Sequence, residues 1–189
     1  MSLTLTNNGE GGNFDPAPEG MHDAICVDVI DLGFVTTAFG EKDMLRVYWE
    51  LPGTQMSNGQ PFVVSKRYNK SLHAKSTLNK DLAKWRGKQI GEGESIDLSK
   101  LPGASCKIEV EHAVDGDRTY ARVGYIGKPD KKLTASGTWD PEQARQRIAE
   151  RKAKEQGHAP RHTTAPAPAP APKPKPVEVA DADDDDVPF

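Results

Sequence analysis

The sequence predicts a mainly β domain of modest size, with one helix late in its course and a long disordered tail behind it. Three observations predict this. Runs in which apolar and polar residues alternate with period two recur between residues 22 and 126, separated by Gly, Pro and Asn-Gly turn signals. One stretch switches to helical spacing. The last third is crowded with proline and alanine, the mean hydropathy is -0.68, and such a segment cannot bury enough apolar surface to offset chain entropy.

Residues 1–19, with Asn7-Asn8-Gly9-Glu10-Gly11-Gly12 and two prolines, read as a flexible arm. Residues 22–32 (HDAICVDVIDL) form a first strand with Ile25, Val27 and Val29 on one side, and Gly33 and Gly40 then bracket a loop or a second short strand. Residues 44–51 (MLRVYWEL) alternate clearly: Leu45, Val47, Trp49 and Leu51 face one way, Arg46, Tyr48 and Glu50 the other. Pro52-Gly53 and Asn58-Gly59 mark turns, and residues 61–70 make a third strand. A helix follows, with Ser76 as N-cap, Leu78, Leu82 and Trp85 on one face, and Gly87 at the C-terminal cap. Residues 105–112 and 119–126 are the fourth and fifth strands, joined by a turn at Asp115-Gly116 or Gly116-Asp117.

Three strands, one helix and two strands is the element order of a five-stranded OB-fold barrel, here over residues 20–132. The same order also fits another small β-barrel. Residues 133–158 are a charged segment in which Trp139-Asp140-Pro141-Glu142 can start a helix; lacking an apolar stripe, that helix is expected to be marginal in isolation. Residues 159–180 are a Pro/Ala-rich disordered linker with polyproline character, and residues 181–189 an acidic tip.

The formal net charge of -3 hides a segregation. Between Gly40 and Ile90 ten Lys and Arg stand against four acidic residues, whereas five Asp crowd into residues 181–186. Cys26 and Cys106 lie far apart in strand-like runs, which suits two reduced core thiols better than a disulfide framework or a zinc site. The sequence shows neither a signal peptide nor an apolar run of membrane length, so a cytoplasmic protein without membrane contact is expected.

The tip, with Asp183, Asp184, Asp185 and Asp186 followed by Val187, Pro188 and Phe189, resembles the tail of bacterial single-stranded-DNA-binding proteins and, less closely, of their phage counterparts. Val187 stands where the bacterial form usually has isoleucine. The resemblance implies a peptide that docks on replication and repair enzymes. Phe189 would enter an apolar pocket, its carboxylate would meet a basic rim, and the Asp run would steer the approach. The body does not look like a bacterial domain of that kind. Tyr68-Asn69-Lys70-Ser71-Leu72-His73-Ala74-Lys75-Ser76-Thr77-Leu78 and Trp85-Arg86-Gly87-Lys88 are instead similar to phage-encoded proteins of replication and recombination modules, which implies a bacterial host cytoplasm.

Single-strand binders pair a cationic groove for phosphates with aromatic faces for bases. On that ground the candidate DNA-binding residues are Arg46 and Tyr48 on the second strand, Lys66, Arg67, Tyr68 and Lys70 on the third, and Tyr120 and Arg122 on the fifth. Trp49 and Trp85 read as core, and Lys80, Lys84 and Lys88 as a solvated helix face. Trp139 is exposed by context, free to dock back or to meet a partner. No phosphate-binding loop or nucleophile–base arrangement is present, and Asp28, Asp31, Glu109 and Glu111 suit plain surface carboxylates better than a Mg²⁺ site, so no enzyme, metal or cofactor is expected. The expected function is sequence-independent binding of single-stranded DNA with recruitment of host or phage replication and recombination proteins through the tip; a homodimer is left open. The main competing reading is a decoy that captures host enzymes with its tail and binds no DNA; a nuclease or annealing enzyme is a third. The tip is further expected to fold back on the basic face when DNA is absent.

Overall fold

A computed structural model describes residues 16–116 and 118–157. They form five antiparallel strands: β1 (Gly20–Thr37), β2 (Gly40–Gln55), β3 (Pro61–Asn69), β4 (Ser105–Asp115) and β5 (Arg118–Gly127). Helix α1 (Thr77–Arg86) lies between β3 and β4, a 3-10 turn at Leu98–Lys100 follows it, and α2 (Pro141–Gly157) comes last. The strand order is β3-β2-β1-β4-β5. The expected OB-fold-like barrel does not close among the described residues. β3 and β5 are the two edges of an open sheet, with no ladder between them among the described residues. These edges nevertheless approach each other, and α1 touches both.

β1 is longer than its sequence pattern indicates. It continues through Gly33 to Thr37 and pairs with β2 as far as Gly40. Gly33 does not break it because the register shifts between Asp31 and Gly33. At this bulge Gly33 takes a φ of 61° and donates its N–H to Asp31 Oδ1 at 2.7 Å.

The inner face of the sheet carries the main core. Cys26, Val47, Trp49, Leu51, Val64, Ile108 and Ile126 pack there against Leu78, Leu82 and Trp85 of α1. Trp49 and Trp85 meet with ring centroids 6.1 Å apart, and Trp85 Nε1 donates to the Ser105 carbonyl at 2.7 Å. Burial pushes the Cys26 thiol up to about 12 and raises Cys106 as well, so both are inert core groups. The helix caps form as predicted: Ser76 Oγ accepts from Asn79 N, and Gly87 closes the C-terminus in the left-handed conformation.

A second cluster lies on the opposite, outer face. Ile30, Leu32 and Tyr48 are buried there beneath Ala144 of α2, with Val27, Met44, Trp139 and Ile148 half-buried around them. The charged segment expected to be marginal in isolation is here a helix docked on the sheet. Ala144 and Ile148, one turn apart, are a very short stripe, but the sheet supplies the apolar partners that the helix lacks. Ala17 and Glu19, within the expected N-terminal arm, belong instead to the folded part: Ala17 is buried against the core, its carbonyl 2.8 Å from His112 Nε2, and Glu19 Oε1 accepts from His112 N. The rest of the arm, the linker and the acidic tip lie outside the described residues. No described helix is long and apolar enough to cross a membrane.

Candidate nucleic-acid interface

The two faces of the sheet sort the eight candidate residues. In the β2–β3 ladder Leu45 pairs with Tyr68, Arg46 with Arg67, and Val47 with Lys66. Residues paired across antiparallel strands share a face. Lys66 and Tyr68 therefore point inward with Leu45 and Val47, towards α1, while Arg46, Tyr48 and Arg67 point outward.

Tyr68 is accordingly a core residue, 3% exposed, and offers no face for a base to stack on. Its hydroxyl donates to Asp81 Oδ2 at 2.9 Å, and burial together with the Asp81 charge raises its pKa. Lys66 Nζ lies 2.9 Å from the same oxygen. Lys70 is committed to two carboxylates, Asp31 Oδ1 at 2.5 Å and Asp43 Oδ1 at 2.9 Å; its hydrogen bond holds the Asp31 carboxyl below the usual range. It borders a cleft of about 580 Å³ lined by Leu45, Leu72, Leu78 and Ile96, and its charge there is already neutralised. Tyr68 is thus withdrawn from the surface, and Lys66 and Lys70 are already paired with carboxylates.

On the outer face Arg46 and Arg67 stand directly opposite each other, and neither makes an ion pair among the described residues. Arg46 is half-buried and its Nε has no hydrogen-bond partner among the described residues. Two like charges facing across a ladder repel unless an anion lies between them. The neighbouring pair is Tyr48 with Ser65, and Tyr48 is covered by the Trp139 ring at 4.7 Å between centroids.

Tyr120 and Arg122 are exposed on β5, opposite Ala113 and Glu111 of β4. The sequence pattern missed their neighbour Tyr125. Strict alternation would turn it inward, but the register shifts between Glu109 and Val110, so Tyr125 pairs with Glu109 on the outer face and is 38% exposed. Its ring lies down along the strand over Gly127, where a Cβ would come within 2.6 Å of the Tyr125 hydroxyl oxygen. Lys84 Nζ of α1 sits 5.2 Å from the centre of that ring, and Lys128 crosses the helix end at Gly87. The free edge of β5 and the end of α1 thus share one strip: Tyr120, Arg122, Tyr125, Lys84 and Lys128.

A further aromatic was also missed. Phe39 at the tip of the β1–β2 hairpin is 87% exposed, with Lys42 Nζ 5.4 Å from its ring centre. The available signal was Phe39 directly before Gly40, an apolar ring placed at a turn residue. Asp28, Asp31, Glu109 and Glu111 belong to no group able to hold a metal ion among the described residues. The sequence matches no protein-family model and no curated protein.

Proposed function

We propose that this protein binds single-stranded DNA without sequence preference, in phage replication or recombination. We further propose that Asp183, Asp184, Asp185, Asp186, Val187, Pro188 and Phe189 recruit partner enzymes. The observation that carries the DNA reading is the strip along β5 and the end of α1, where two exposed tyrosines alternate with Arg122, Lys84 and Lys128. Phosphates need the cations and bases need the rings, and each stacked base is worth about 1–3 kcal/mol. Phe39 with Lys42 repeats the combination on the β1–β2 hairpin. The fold reading behind it is a partly open five-stranded barrel of the OB type, supported by the helix between β3 and β4 and the near approach of the two edge strands.

The test is a salt titration of binding to labelled dT oligonucleotide, duplex DNA and single-stranded RNA. Binding to dT is expected to weaken steeply with salt, as counterion release requires. Tyr125→Ala should weaken it by roughly tenfold, within the stacking range. Arg122→Ala and Lys84→Ala should each reduce the slope of log K against log salt by about 0.7. No binding at low salt would sink the reading.

One observation favours the decoy alternative. Glu109 and Glu111 are paired with Tyr125 and Arg122 in the β4–β5 ladder and place negative charge beside the strip. Capture of replication enzymes by the full chain, with no shift of single-stranded DNA, would select that alternative.

A further inference from the structure

We infer that residues 133–157 form a displaceable strap over the outer face of β1–β2–β3, and that a DNA strand takes the place of Trp139 on Tyr48. This rests on the single-stranded-DNA reading above but concerns different strands of the sheet.

The strap is held at a few points. Ser136 donates from both N and Oγ to the Glu50 carboxylate, at 2.8 Å each. The Trp139 indole donates from Nε1 to Asp28 Oδ2 at 3.3 Å while its ring lies on Tyr48, tilted by 39°. Arg145 Nη2 lies 3.6 Å from Asp28 Oδ1, and Lys152 donates to the Leu32 carbonyl. Ala144 and Ile148 add the apolar contact.

Two features make this hold weak for its size. Glu50 is fully buried and Asp28 nearly so. Keeping two carboxylates under the strap costs desolvation, which offsets much of the gain from covering apolar surface. The helix itself has little stability away from the sheet. Release returns both carboxylates to water and exposes an aromatic ring.

What the strap covers has the parts of a nucleotide site. Tyr48 offers a stacking face, now taken by an indole. Asp28 offers an acceptor, now taken by an indole N–H, where the edge N–H of a base would fit. Arg46 and Arg67 lie in the adjacent ladder pair as two guanidinium groups with no ion pair among the described residues, suited to a phosphate. Trp139 therefore mimics a stacked base. Apparent affinity falls by the fraction of time the site is open, so a strap closed for about nine-tenths of the time weakens binding about tenfold.

Hydrogen exchange on the full-length wild-type chain, with and without saturating dT oligonucleotide, tests this directly, with bound DNA followed in parallel by anisotropy. Faster exchange in residues 133–157 together with slower exchange in β2 and β3 is the expected result. Bound DNA with unchanged or slower exchange in 133–157 overturns the strap and leaves the β5 strip standing. The double variant Trp139→Ala, Ile148→Asp should bind dT about tenfold tighter, and adding Tyr48→Ala should abolish the gain; equal or weaker binding by the double variant counts against displacement. If neither wild type nor double variant binds dT, both readings fall.

Discussion

Asp81 shows how one residue can decide between a binding role and a structural one. It sits on α1, 6% exposed, and its Oδ2 receives both the Tyr68 hydroxyl and the Lys66 ammonium. That single carboxylate removes two residues from the candidate DNA-binding set by tying them to the inside of the sheet. Replacing it by alanine leaves a buried hydroxyl without an acceptor and a half-buried cation without a partner. Asp81→Ala should therefore cost about 2–4 kcal/mol, and Asp81→Asn less, because an amide oxygen still accepts from Tyr68. Urea unfolding checks this: the midpoint should fall with the slope unchanged. An Asp81→Ala protein with the wild-type midpoint would mean that the carboxylate is not what holds Tyr68 inward.

At the scale of elements, α1 makes the clearest prediction. Ser76 Oγ accepts from Asn79 N at 3.2 Å and donates to the Ser71 carbonyl at 2.6 Å, so the cap both starts the helix and ties down the loop from β3. Ser76→Ala loses both bonds and should cost about 1–2 kcal/mol. It should leave dT affinity within twofold of wild type, since the cap lies at the far end of α1 from Lys84. A large loss of affinity in a stably folded Ser76→Ala protein would show that the β3–α1 loop belongs to the interface. This helix was legible in the sequence because capping and i, i+4 spacing are local. β2 was equally legible, since Leu45, Val47, Trp49 and Leu51 all join the inner core as their spacing predicts. The bulges were not. A register shift depends on the partner strand, so neither the continuation of β1 past Gly33 nor the outward turn of Tyr125 could be read from its own strand. Lys66, Arg67, Tyr68 and Lys70 form a row in the sequence, but period two splits that row. Only the packing of α1 decides which half faces inward. The docking of Trp139 on Tyr48 joins residues 91 apart in the chain, and no local pattern reports it.

For the whole molecule the question is how folding and binding share the outer face. If residues 133–157 close over β1–β2–β3, removing them must do two things at once. A chain ending at Lys132 exposes Ile30, Leu32 and Tyr48 and loses the docking free energy of the strap. A chain ending at Gly157 keeps both. The first should be less stable by an amount on the order of 1–2 kcal/mol, small because the buried Glu50 and Asp28 carboxylates offset part of the apolar gain. The same free energy sets how often the strap is open in the intact chain. By linkage the affinity of the shorter chain for dT should rise by the matching factor, about tenfold for each 1.4 kcal/mol lost. Two independent measurements, a denaturant midpoint and a binding isotherm, must therefore agree. Stability lost without affinity gained would make residues 133–157 an ordinary part of the core. Affinity gained without stability lost would mean that residues 133–157 hinder DNA without contributing to the hold of the sheet, and the docked strap would not be the inhibitor.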